Sequence, residues 1–203
     1  EKIADEVNGK FYINYSDEIS NVAIFVSKQN HCLIDLLWRV RNGELKMNVP
    51  LIISNHPDLE SIAKDFNSQF VYVDTVNFSK SDVEDQILKL LEQFDINLVV
   101  LAKYMQILSD SFLQKFSSII NIHHSFLPAF KGAQPYHRAW NRGVKLIGAT
   151  AHYVTQDLDE GPIIEQCTVN VSHRDEVDDL IRKGRDIERV ALARAVRLHL
   201  NHQ

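Results

Sequence analysis

Apolar residues along this chain fall into short continuous runs separated by longer stretches with helical spacing. Val22-Ala-Ile-Phe-Val26 is bounded by polar residues and reads as a buried strand. Leu33, Leu36, Leu37 and Val40 then recur at helical spacing, with Gly43 as a stop. Val49 to Ile53 is a second buried run, Asp58 to Phe66 a helix and Phe70 to Val73 a short strand. Ser81 to Phe94 predicts an amphipathic helix with Val83, Ile87, Leu90 and Leu91 on one face. Leu98-Val-Val-Leu-Ala102 is the clearest strand, followed by a helix over Asp110 to Phe116 and a strand over Ser118 to His123. This alternation predicts an α/β fold, Rossmann-like, with a mostly parallel twisted sheet covered by helices. Such sheets bind ligands beyond the carboxyl ends of their strands, so chemistry is sought there.

The second half reads differently. Ala133 to Trp140 is a loop entering a helix, and Lys145 to Thr155 and Pro162 to Val171 are extended segments expected to form an antiparallel addition. Glu176 to Leu200 is helical, with a break expected near Gly184. Asn8-Gly9 signals a hairpin with arms Ile3 to Val7 and Lys10 to Tyr15, outside the strand–helix alternation. A lone hairpin is marginal in water. Residues 1–19 therefore read as a remnant hairpin or linker of a neighbouring unit, and residues 20–203 as one domain.

Composition narrows the function. A net charge of -5 argues against a nucleic-acid partner, which wants a basic face. No apolar run approaches the ~20 residues that cross a bilayer, so no membrane partner is expected. Cys32 and Cys167 are far apart and in no metal-binding spacing, which fits a reducing cytoplasm.

Two stretches carry candidate chemistry. In Asn121-Ile-His-His-Ser-Phe-Leu-Pro128, residues two apart on a strand share a face, so Asn121 and His123 project together. An amide N–H can stabilise a developing oxyanion and a histidine can move protons, which makes a half-site for attack on a carbonyl. A polar strand end capping a turn explains the same residues. In Gln156-Asp-Leu-Asp-Glu-Gly-Pro162, a carboxylate could orient the histidine, or the loop could be a solvated acidic turn. Spacing alone does not choose between Asp157 and Asp159.

Taken together, Asn121-Ile-His123, Ser125-x-Leu-Pro128, Gly148 to His152 and Asp159-x-Gly-Pro162 resemble the formyltransferase-fold enzymes that use 10-formyltetrahydrofolate. The resemblance runs from about Asn21 to the end. It implies a formyltransferase fold and a catalytic set of Asn121, His123 and Asp159. Four features resemble the deformylase branch: Lys28-x-x-His31-Cys32-Leu33, Leu101-Ala-Lys-Tyr-Met-Gln-Ile-Leu108, the doubled His123-His124, and Gly148-Ala-Thr-Ala-His-Tyr153. Glycinamide ribonucleotide transformylases carry a Gly- and Ser-rich loop after the first strand, suited to a phosphate. Here Ser27 to Leu33 has no Gly, which leaves water as the acceptor.

The resemblance implies hydrolysis of 10-formyltetrahydrofolate to formate and tetrahydrofolate, with formate supplied to purine synthesis. The folate would be held by Met105, Gln106, Ile107, Leu108, His152, Val154 and Thr155, with Leu101 as a further apolar wall. His124 and His137 could border the site. No cofactor is implied; a zinc site from His123, His152 and Asp159 is conceivable in residue type, but no metal motif supports it. An N-terminal ACT-type regulatory unit and a homo-oligomer are also implied. Two other readings stay open: a formyltransferase with an unidentified amine acceptor, and a catalytically silent folate-binding sensor.

Overall fold

The computed structural model describes residues 18–129 and 134–203, so the Asn8-Gly9 hairpin lies outside the described residues. The strands are β1 (Ser20–Val26), β2 (Met47–Ser54), β3 (Gln69–Tyr72), β4 (Leu98–Leu101), β5 (Ile119–His123), β6 (Leu146–Tyr153) and β7 (Ile163–Asn170). The helices are α1 (His31–Arg41), α2 (Glu60–Asp65), α3 (Lys80–Gln93), α4 (Asp110–Lys115), α5 (Pro135–Arg142) and α6 (Val177–Leu200).

Among the described residues the strands form one sheet in the order β3-β2-β1-β4-β5-β6-β7. The first five in that order are parallel. β6 runs antiparallel to β5, and β7 antiparallel to β6. The expected mixed sheet is therefore observed. β1 is apolar on both faces because both are covered. Val22, Ile24 and Val26 pack with Leu33, Leu36 and Leu37 of α1 and with Leu192 and Val196 of α6. Ala23 and Phe25 pack on the other side with Val83, Ile87 and Leu91 of α3 and Phe112 of α4. Ser79 and Ser109 start α3 and α4 by accepting hydrogen bonds from Asp82 N and Phe112 N, which satisfies amide groups the first turn leaves free.

One expectation fails. α6 runs unbroken through Gly184. The glycine is tolerated because its missing side chain is packed over by the Tyr136 ring.

The chain leaves β1 for β2 and β3, then returns to β4 on the other side of β1. This makes a topological switch point between β1 and β4, and a crevice beyond their carboxyl ends. Ser27 ties the two strand ends together there. Its N–H donates to the Lys103 carbonyl at 3.2 Å, and its hydroxyl accepts from Met105 N at 2.9 Å.

Candidate active site

The end of β5 presents Asn121 and His123, and the β6 register sets His152 directly opposite Asn121. Asp159 arrives from the turn between β6 and β7. It sits at φ +59, in the left-handed region that Asp tolerates better than most residues. Gly161 folds that turn back. A Cβ there would lie 1.8 Å from the Tyr153 carbonyl oxygen, and Tyr153 N donates to Pro162 O at 2.9 Å. The close approach of Gly161 to β6 holds Asp159 over the β5 end.

His123 Nδ1 lies 3.2 Å from Asp159 Oδ2, and His152 Nε2 lies 3.6 Å from Oδ1 of the same carboxylate. The hydrogen bond from His123, then the contact with His152, outweighs partial burial and holds the Asp159 carboxyl well below the usual carboxylate range. Asp159 is thus an anion throughout the neutral range. With Nδ1 of His123 committed to it, Nε2 is the free end of that ring. Nε2 is buried and has no hydrogen-bond partner among the described residues.

His152 is pinned by its own backbone. Its Nδ1 lies 2.9 Å from the Tyr153 carbonyl oxygen, which can only accept, so Nδ1 carries the proton. In the neutral ring Nε2 is then an acceptor, and the Asn121 amide nitrogen sits 3.2 Å from it. One amide hydrogen is spent on His152 and the other is left for a ligand. His124 stacks on His123 with ring centroids 4.8 Å apart. Burial first, then the charges of Lys103 and His123, pushes its pKa down to about 4.

These groups open on a cavity of about 300 Å³. Asn121, His123, Asp159, Met105, Gln106, Ile107, Leu108, His152, Val154 and Thr155 all line it, as do Leu101 and His124. Met105 and Ile107 are exposed there, at 59% and 64%, whereas Leu108 also belongs to the core. His137 is different: it is exposed and does not line the cavity, because it lies on the outer face of α5. Asp157 has an exposed side chain. The choice between the two aspartates is therefore one the turn geometry makes.

A second polar cluster lies beyond the carboxyl ends of β1 and β4. Glu188 of α6 accepts from Tyr136 OH at 2.7 Å, meets His31 Nε2 at 2.7 Å and receives Lys103 Nζ at 3.4 Å. The sequence placed His31 and Lys103 in segments that resemble the deformylase branch, without a role for either, and did not single out Glu188 or Tyr136. A charged residue at an inward position of a long amphipathic helix was the available signal. His31, Cys32 and Glu188 bring their donor atoms within 4.8 Å of one another, an arrangement a metal could use. It suits a cation poorly, since burial pushes the Cys32 thiol up and the Lys103 ammonium already sits on the carboxylate.

The formyl transferase family pattern matches residues 20–196. The chain is 61% identical to a formyltetrahydrofolate deformylase of Synechocystis sp., over 100% of this chain and 71% of that protein. It is 53% identical to the Mycobacterium bovis formyltetrahydrofolate deformylase over 95% of this chain, and spans 64% of that relative's length. The crystal structure of a formyltetrahydrofolate deformylase from Pseudomonas syringae superposes with a TM-score of 0.94 at 44% identity, over 99% of this chain and 68% of that one. Glycinamide ribonucleotide transformylase 1 from Symbiobacterium toebii superposes with a TM-score of 0.87 at 29% identity, over 95% and 92% respectively.

Proposed function

Because the chain belongs to the formyl transferase family, among its formyltetrahydrofolate deformylases, we propose that it hydrolyses 10-formyltetrahydrofolate to formate and tetrahydrofolate. The observation that carries this reading is the His123–Asp159 contact at 3.2 Å, beside Asn121 in one cavity.

The attacking water is held at Nε2 of His123. Asp159, ionised, accepts the Nδ1 hydrogen, fixes the ring tautomer and stabilises positive charge on the imidazole. As the water oxygen bonds to the formyl carbon, its proton moves to Nε2 and the carbonyl oxygen becomes an oxyanion. The free hydrogen of the Asn121 amide and the His123 imidazolium stabilise that oxyanion. Collapse breaks the carbon–nitrogen bond, and the folate nitrogen leaves with the proton from His123. The pterin lies between Met105–Leu108 and Val154–Asp159, held by backbone groups and by the bare faces of Met105 and Ile107.

Supply of formate to purine synthesis, a cytoplasmic setting, homo-oligomeric assembly and an ACT-type unit preceding this domain belong to the same proposal. Among the described residues no helix is long and apolar enough to cross a membrane.

The fold shared with a transformylase favours one rival reading, transfer to an amine. The deciding experiment incubates the purified protein with 10-formyltetrahydrofolate and measures formate and formylated amine together. Formate release without any amine is the expected result. Formylated amine, with negligible formate in its absence, would make the protein a transferase.

A further inference from the structure

Glu188 is 1% exposed, and its carboxylate is shared by His31, Tyr136 and Lys103. Burial works to raise its pKa, but the Lys103 charge, then His31 and Tyr136, outweighs burial and holds it down at about 2. A well-packed apolar cluster of similar volume is commonly as stable as a buried ion pair, so stability alone does not account for these residues.

Two backbone features cost stability and serve the same carboxylate. Lys103 sits at φ +69, where Gly is relaxed and other L residues are strained. Its side chain is buried against Glu188. Gly184 lies inside α6, where Gly is unfavourable. A Cβ there would lie 2.1 Å from the Tyr136 hydroxyl oxygen, so the glycine makes room for Tyr136 to reach Glu188.

The cluster stands in the crevice at the switch point, where open α/β sheets take their ligands. Lys103 follows β4 directly, and His31 opens α1 just after β1. The crevice borders the catalytic groups through His124, which stacks on His123 at 4.8 Å and has the Tyr136 ring at 6.3 Å.

We propose that Lys103, His31, Tyr136 and Glu188 form a plug that denies the acceptor side of the site to primary amines and reserves it for water. The inference rests on the hydrolase reading and names what sets its acceptor. Water and an amine compete for one event: the nucleophile bonds to the formyl carbon, the carbon–nitrogen bond to the folate breaks, and the nucleophile's proton ends on the folate nitrogen. Which nucleophile enters is decided by the space and polarity beside His123. The plug fills that space with side chains already tied to the Glu188 carboxylate.

The test uses glycinamide as the amine probe and reads the ratio of formylglycinamide to formate. The double variant K103G/E188Q removes both buried charges, relaxes the backbone at residue 103 and empties the lysine's volume. Its ratio should rise at least about tenfold over the unaltered protein, the scale of small changes in acceptor-site fit. The single variant E188Q keeps the volume and should leave the ratio unchanged. An unchanged ratio in the double variant with melting behaviour intact, or equal formylation of glycinamide by the unaltered protein, would overturn the plug. If K103G/E188Q folds poorly, His31→Ser opens the crevice from the loop side and is read in the same way. Saturation-transfer NMR of glycinamide on the same variants reports access to the crevice without any turnover. The plug therefore stands or falls there even if the unaltered protein releases no formate, which would sink the hydrolase reading alone.

Discussion

Nε2 of His152 lies 3.2 Å from the Asn121 amide nitrogen and 3.6 Å from Oδ1 of Asp159. The neutral ring accepts from Asn121 and so fixes which way that amide faces. A protonated ring would donate to Asp159 instead and free the amide to turn. Asn121→Ala should therefore lower kcat by about 10² to 10³, the usual loss for one oxyanion donor. His152→Ala should cost less in kcat, since it loosens Asn121 without removing it. Steady-state kinetics separate the roles: a rise in KM alone for His152→Ala would make His152 a substrate contact and not a positioning residue.

His123→Ala and Asp159→Asn should each lower turnover by at least about a hundredfold, the scale of lost general acid–base help. Asp157→Asn should be nearly silent, because its side chain is exposed outside the His123 contact. Rates measured on the three purified variants decide this. A larger loss from Asp157→Asn would mean the turn rearranges when substrate binds.

Gly161→Ala tests how the turn positions Asp159. The added Cβ would meet the Tyr153 carbonyl oxygen at 1.8 Å, and backbone on both sides must move. Overpacking of this type destabilises by about 1–3 kcal/mol. Activity should fall further than stability, because Asp159 is two residues away. Thermal melting and turnover measured on one preparation check both; full activity with a lowered melting point would show that Asp159 is placed independently of the turn.

The strand–helix alternation was legible because each element buries a long apolar face, and those faces repeat with periods the sequence displays directly. Asn121 and His123 were legible for the same reason, since strand parity fixes a shared face. What was not legible depends on partners far apart in the chain. His152 opposite Asn121 is a matter of register between β5 and β6. Gly184 read as a helix break because propensity ignores Tyr136, which lies 48 positions earlier and packs over it. Lys103 in a left-handed conformation, reaching Glu188 across 85 positions, leaves no local pattern at all.

Acid should destabilise this protein through Glu188. Its carboxyl titrates near an ordinary 4.5 in the unfolded chain, but at about 2 in the fold. Between those values the unfolded chain binds a proton that the folded one does not, so stability falls as pH falls. The contribution is fully present above about 4.5 and is lost progressively towards 2. Asp159 acts in the same direction from its ordinary 3.8 downwards. Glu188→Gln removes the part that comes from the buried carboxylate. At neutral pH the variant should be less stable, because Lys103 keeps a buried charge without its carboxylate. Between about pH 5 and 3, however, its stability should change less steeply than that of the unaltered protein. Urea midpoints taken across that range give both slopes directly. Parallel curves would show that the Glu188 carboxyl titrates normally in the fold, and that Lys103 and His31 do not hold it ionised.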